Sequence, residues 1–591
     1  MVFTSPAQAD FGVTPGGFHS SLLDSAGAVE TEPQAGAHPF AQQVEFSFNA
    51  TTHHEYPAGS GGGPSGPDPD PDDQVKTIVT ELPPGLIGNP QAVPICAQSD
   101  FPPASGLLGL SRCPTDAQIG VASLDYGLGS GYREGLYEAP VYNLVAPKGV
   151  IARVGFVIGE PVVVDIKLRT GSDYGLTAIA RTTSQSVNFY GFKMALWGVP
   201  ADSSHDTERY LQGATRPGDP PESGNPLHSE LPRIPFLSNP TRCGVDLPSF
   251  LRVDSWQDPG NFLSYTDPQQ MRFSGCNQLQ FEPTIESKPT TTLADAPSGQ
   301  EFDLHIPQNE DVEGHEDPDG LTAAHLRDAV VTLPAGMTVN PPAADVLSAC
   351  SLDQVGISAA GVPSEASVTC PNQSILGKAT VVTPALDHVL NGTVYLARQS
   401  ENPFGSLFAM YLVIDDPQTG LLIKLAGKID PDPSTGQLTV SFRENPQTPV
   451  EDLTLNLFGG PHAALKTPEG CGDHTTTSSL TPWTAPEAAV AHPISTFTLS
   501  QGPDGGACRP TGAGAPNTPS FTAGTADPTA KAFTPFTFKL ARADGSQQLG
   551  AVDTTLPDGL LGKLAGIPYC PDGALATAAG KSGRSEQSSP S

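Results

Sequence analysis

Nine cysteines are the residues of this 591-residue chain whose spacing points most directly to chemistry. Eight fall into two kinds of pair. Cys96 with Cys113 and Cys350 with Cys370 lie 17 and 20 residues apart, and the second member of each opens a Cys-Pro-x4-Ile/Leu-Gly-x-Ala element, running to Ile119-Gly120 and Leu376-Gly377. Cys243 with Cys276 and Cys471 with Cys508 each bracket a tryptophan, Trp256 and Trp483. Equal counts at equivalent positions predict four disulfides, which persist in an oxidising compartment. Each bridge across a loop of about 15 residues adds roughly 3 kcal/mol by restricting the unfolded chain. The alternatives are buried free thiols and zinc; structural four-cysteine zinc sites usually contain a close CxxC pair, and the chain has none. Cys570 is left over and is expected to be exposed or mispaired.

Other chemistry is thinly represented. No GxSxG elbow, HExxH motif, P-loop or strand-linked GxGxxG occurs. His53-His54 sits beside a Gly-rich linker, 59–66, and is read as exposed rather than metal-binding. Glu160, Asp165 and Asp173 lie on or near predicted strands and are the carboxylates that a secreted glycoside hydrolase would need. Their aligned positions in the second half of the chain are not cleanly reproduced, so a non-enzyme is expected. Trp256 and Trp483 follow a cysteine by 13 and 12 residues. Packing against the bridge is one reading; stacking on a sugar ring is the other. No motif implies a cofactor or a metal.

A net charge of −33 with no basic cluster argues against nucleic acid and against an anionic membrane surface. The acidic runs 67–73 and 309–319 are broken by Pro and Gly and lack the ligand spacing of a calcium loop, so they read as solvated loops. No run of 18 apolar residues is present to span a bilayer. The first nine residues end in Ala7-Gln8-Ala9 before Asp10, like the cleavage end of a secretion signal. Charged residues make up only 16%, while Gly and Pro number 62 each. That balance favours short strands and many turns.

The elements that must position these residues recur. Leu82-Pro83-Pro84-Gly85, Leu333-Pro334-Ala335-Gly336 and Leu556-Pro557-Asp558-Gly559 each precede a cysteine, at intervals of 251 and 223 residues. A strand enters each: Val75 to Leu82, Leu326 to Leu333 and Leu549 to Leu556. A Phe-rich strand comes before that one, at Gln43 to Asn49, Glu301 to Ile306 and Phe533 to Leu540. Asn89-Pro90 and Asn340-Pro341 predict a short helix running up to Cys96 and Cys350. Further strands match between the first two copies: Pro140-Val141-Tyr142 with Thr393-Val394-Tyr395, Val154 to Ile158 with Met410 to Ile414, and Tyr190 to Pro200 with Val450 to Pro461. The hairpin around Gly171 to Gly175 matches Asp430 to Gly436.

The strand–loop–strand–LPxG element, best seen in 301–337, resembles the Ig-like repeat domains of prokaryotic surface proteins. The whole pattern, with its Cys-Pro element and the tryptophan segments 254–259 and 480–485, resembles large uncharacterised secreted repeat proteins of high-GC soil bacteria. That likeness implies extracellular β-sandwich repeats and supplies no activity.

The expectation is therefore an all-β chain of tandem Ig-like β-sandwich modules stapled by disulfides, with few short helices and long Pro/Gly-rich loops. The expected divisions are a signal remnant at 1–9, an N-terminal β segment and linker at 10–74, and a sandwich at 75–200. A polar surface insertion at 201–236 and a Cys-Trp-Cys segment at 237–280 complete the first repeat. The second repeat spans 281–465 with its Cys-Trp-Cys segment at 466–518, and a truncated third repeat fills 519–591. Such a chain is expected to be secreted or surface-attached, non-catalytic, and structural or adhesive. A polysaccharide-binding array is the first alternative and a secreted glycoside hydrolase the second. Its partners would be surface polysaccharide or other surface proteins.

Overall fold

A computed structural model describes the chain except for residues 1–10, 52–69, 102–110, 129–131, 159, 211–226, 311–313, 486–488, 511–513, 544–545, 548, 564 and 575–591. The signal remnant, His53-His54, the Gly-rich linker and parts of both acidic runs lie outside the described residues.

Two large antiparallel sheets of 11 strands each dominate. The first is built from β1 (Val13–Leu23), β2 (Ala41–Phe48), β3 (Val75–Glu81), β4 (Gln118–Leu128), β5 (Tyr132–Leu144) and β6 (Ala152–Ile158). It continues with β7 (Glu160–Leu168), β8 (Leu176–Arg181), β9 (Val187–Trp197), β10 (Phe250–Ser255) and β11 (Leu263–Thr266). The second contains β12 (Thr284–Pro289), β13 (Gln300–His305), β14 (Leu326–Thr332), β15 (Ile375–Val382), β16 (Leu390–Leu396) and β17 (Phe408–Asp416). Its remaining strands are β18 (Leu421–Pro431), β19 (Leu438–Phe442), β20 (Asp452–Leu457), β21 (Gly472–Pro482) and β22 (Ile494–Leu499).

The spatial order is β1-β2-β9-β4-β5-β6-β7-β8-β3-β10-β11 in the first sheet and β12-β13-β20-β15-β16-β17-β18-β19-β14-β21-β22 in the second. Every strand of the first sheet therefore has its counterpart 11 places later in the numbering. The repeat seen at LPxG extends to the complete topology.

Each sheet curls until its edges meet. The Val13 amide donates to the Tyr265 hydroxyl (3.0 Å) and the Ser20 amide to Asp267 Oδ2 (2.6 Å), joining β1 to the β11 end. In the second sheet the Ser287 amide donates to Ser495 Oγ (2.9 Å), which joins β12 to β22. Closure removes exposed sheet edges, where unpaired backbone groups would otherwise recruit other chains. The all-β, disulfide-stapled modular class is thus what the chain adopts, with each barrel- or sandwich-like module formed by one continuous sheet.

The repeated sequence signals have local causes. LPxG is a turn in all three copies: the residue after the glycine donates its amide to the first proline's carbonyl (3.3, 3.0 and 3.1 Å). Gly85, Gly336 and Gly559 hold φ of 90°, 87° and 87°, which side-chain-bearing residues adopt at a cost. The glycine of the Cys-Pro element answers a different need. A Cβ on Gly120 would lie 2.1 Å from the Ala195 carbonyl oxygen, and one on Gly377 would lie 2.2 Å from that of Asn456.

Two expected elements differ. The helix foreseen before the cysteines is a single 3-10 turn, Pro341–Asp345, in the second module, and only turns and bends at 90–93 in the first. Asn340 does not cap it, because its Nδ2 donates instead to the carbonyls of Pro461 and Ala463 (3.2 and 2.8 Å). The short α-helix Leu352–Val355 follows Cys350 instead, closed by a Ser351–Gln354 capping box. In the third copy, 549–556 forms no strand. The counterparts of this strand sit between two neighbours in the larger sheets, and among the described residues the third copy offers only one hairpin, Ser520–Thr525 with Phe536–Ala541.

Candidate functional site

Four disulfides join Cys96–Cys113, Cys243–Cys276, Cys350–Cys370 and Cys471–Cys508, and Cys570 is free and exposed. The first kind ties the loop before β4 or β15 to the neighbouring strand end. The Cys96 amide bonds the Asn143 carbonyl and the Cys350 amide that of Leu396, each at 2.8 Å.

Trp256 and Trp483 occupy matching positions. Their backbone amides donate to Gln74 and His325 (2.9 and 2.8 Å), just before β3 and β14. Their indole N–H groups donate to the carbonyls of Thr183 and Asn445 (3.0 and 3.1 Å), just after β8 and β19. Each ring thus ties together the ends of three adjacent strands. Lys76 lies over the Trp256 ring at 5.2 Å and Arg242 over the Trp483 ring at 5.1 Å. The third tryptophan, Trp197, is fully buried, stacked on His205 at 4.5 Å. Within 201–236, Ser203–Glu208 forms a 3-10 helix, and His205, Arg209 and Tyr210 are buried against the first barrel.

The candidate carboxylates are engaged separately. Asp165 pairs across strands with Arg153 (2.7 Å) and lies 4.0 Å from Arg181. Asp173 receives Arg169 through Nε (2.8 Å) and Nη2 (3.0 Å). Burial raises the Asp173 carboxyl, but the Arg169 hydrogen bond and charge outweigh it and hold the group below the usual range. Among the described residues Glu160 accepts from Ser186 Oγ, at 3.4 Å on the surface. Among the described residues no three His, Cys, Asp or Glu side chains gather as metal ligands would.

The interiors of the two barrels differ sharply. Phe46, Phe48, Phe156, Phe189 and Phe192 fill the first, with ring centroids 5.4–6.5 Å apart. Strand registers place Leu304 of the second barrel where the first has Phe46, Leu412 where it has Phe156 and Leu453 where it has Phe192. Three rings are replaced by smaller side chains. A cavity of about 260 Å³ lies in the second barrel, lined by Leu304, Leu412, Leu453, Phe302, Phe442 and mostly aliphatic neighbours.

One polar side chain lining the cavity lacks a full set of partners. Gln300 is 3% exposed; its Nε2 donates to Ser287 Oγ (2.9 Å), and among the described residues its Oε1 has no hydrogen-bond partner. The first barrel contains the same pair, Gln42 and Ser20, at 3.2 Å.

Part of the cavity wall belongs to the first barrel: Ile87, Ile151, Leu168 and Leu176. The hairpin between β7 and β8 carries Tyr174 into the second barrel, where it packs with Val381, Leu390, Ile414, Leu421 and Ile423. Around it, Thr170 Oγ1 donates to the Leu422 carbonyl (2.8 Å) and the Gly149 amide to that of Gln418 (2.9 Å). Sequence reading missed this seam. Its one signal is a tyrosine beside Asp173 in a hairpin whose counterpart in the second module, at 432–436, has none.

No protein-family model matches the chain, and no curated protein matches it. Among solved structures it is similar to the collagen adhesin CNA from S. aureus, at 8% identity over 83% of this chain and 91% of that one, with a TM-score of 0.16. It is also similar to a structure titled BspA_C_WT, at 5% identity over 81% and 99% with a TM-score of 0.17. A B domain of biofilm associated protein matches at 8% identity over 81% and 84%, with a TM-score of 0.13. Scores this low carry no argument about fold or function.

Proposed function

We propose that this chain is an extracellular, non-catalytic repeat protein: a structural or adhesive component of a bacterial cell surface. The observation that carries the reading is the seam. Two modules of identical topology are locked by a tyrosine buried across their boundary, with backbone hydrogen bonds on either side of it. A chain that joins its repeats rigidly holds whatever it displays at a fixed distance from its base. The bridges and acidic surface suit an oxidising, extracellular setting. The domain divisions follow the same reading, with one module ending near Cys276, the next near Cys508, and a third beginning near 519.

The test is protease shaving of intact cells of the source organism, followed by peptide mapping under non-reducing conditions. Peptides from both modules should be released with their bridges oxidised. Retention of the protein inside the cells with reduced thiols would overturn the proposal. Small-angle scattering of the purified chain should fit one elongated rigid body.

A further inference from the structure

We infer that the second barrel is a binding site for a single aliphatic chain bearing a hydroxyl donor, such as a fatty alcohol or the hydroxylated tail of a lipid. The inference is independent of where the protein resides, so failure of the surface reading leaves it standing. Three observations converge. The first is the comparison within the molecule: at three inward positions the phenylalanines of one copy are leucines beside the cavity of the other, while Phe302 and Phe442 line that cavity where the first copy has Val44 and Ala180. Leu304, Leu412 and Leu453 open the space that Phe46, Phe156 and Phe192 occupy.

The second is the chemistry of the wall. It is mostly aliphatic, with Phe302 and Phe442 the aromatic rings in it, which suits a flexible alkyl chain, and no Lys or Arg is among its lining residues to neutralise a carboxylate. At roughly 30 Å³ for a water-sized group, the space takes about nine such groups, the size of a medium-length alkyl chain. Sugars and nucleotides would leave many polar groups unpaired there.

The third is Gln300. Its Nε2 is fixed on Ser287, and its Oε1 is an acceptor without a donor. A buried acceptor in an apolar cavity calls for a donor from the occupant, and a hydroxyl supplies one without bringing charge.

Calorimetric titration of the oxidised full chain with decanol tests the proposal. Saturable one-to-one binding with a negative heat-capacity change is expected. The double variant Leu412→Phe/Leu453→Phe restores two of the three rings of the first barrel. It should bind at least about tenfold more weakly, because the rings occupy the alkyl space, while melting no lower than the parent. Gln300→Leu should weaken decanol about fivefold through the lost hydrogen bond. If the double variant fails to fold, Leu412→Phe alone carries the comparison. Absence of saturable binding to the parent chain would overturn the proposal, as would undiminished binding to a folded ring-restored variant.

Discussion

The Tyr174 hydroxyl of the first barrel donates to the Lys424 carbonyl at 2.9 Å and accepts from the Lys424 amide at 3.1 Å. One phenol thereby satisfies both backbone groups of a residue in the other module, as a neighbouring strand would. Tyr174 reaches this position with φ of 56°, a left-handed conformation that costs a non-glycine residue on the order of 1 kcal/mol. Arg169 holds the hairpin in place by bonding Asp173 and the carbonyls of Leu176 and Leu82.

Tyr174→Phe keeps the ring and removes the hydroxyl. It leaves the Lys424 donor and acceptor unpaired in a buried seam, and should cost about 1–3 kcal/mol. Differential scanning calorimetry should show the second module melting earlier. An unchanged transition would mean the two hydrogen bonds add nothing.

His325 is 3% exposed, and burial depresses its pKa to about 4 from an ordinary 6.5. Between those values the unfolded chain binds a proton that the folded chain refuses. Stability is then fully present above about 6.5 and falls as pH drops to about 4, by roughly 3 kcal/mol. Urea denaturation across that range should show the slope, and His325→Leu should flatten it.

The bridges should differ in resistance to reduction. Closing loops of 20 and 37 residues restricts the unfolded chain by similar amounts, about 3–4 kcal/mol. Burial separates them: Cys350 is wholly buried beside Val355 and Tyr411, while Cys508 is exposed. Timed reduction with mass mapping should open Cys471–Cys508 first. In the unreduced protein a maleimide should label Cys570 alone.

Trp256→Phe and Trp483→Phe each lose an indole donor to a strand-end carbonyl, for about 1 kcal/mol, and weaken the contact of the cation with the smaller ring. Arg242, which covers Trp483, comes from the first module's Cys-Trp-Cys region, so Trp483→Phe should also loosen the seam. Tryptophan fluorescence should be insensitive to a broad glycan panel. A saturable shift that either substitution abolishes would favour sugar stacking instead.

The all-β class and the repeat period were legible in the sequence, because each rests on local signals. Alternating apolar residues mark strands, and the LPxG glycine must take positive φ. The pairing of β2 with β9, and of β3 with β10, joins residues more than a hundred positions apart. No window of sequence records such a contact. The cavity was hidden for the same reason: a leucine on an inward strand position reads as core, and only the assembled barrel shows whether its neighbours fill the space. Tyr174 lies within the hairpin that the sequence predicts around Gly171 to Gly175. Its role depends on the seam with the second barrel, a matter of tertiary packing and not of local propensity.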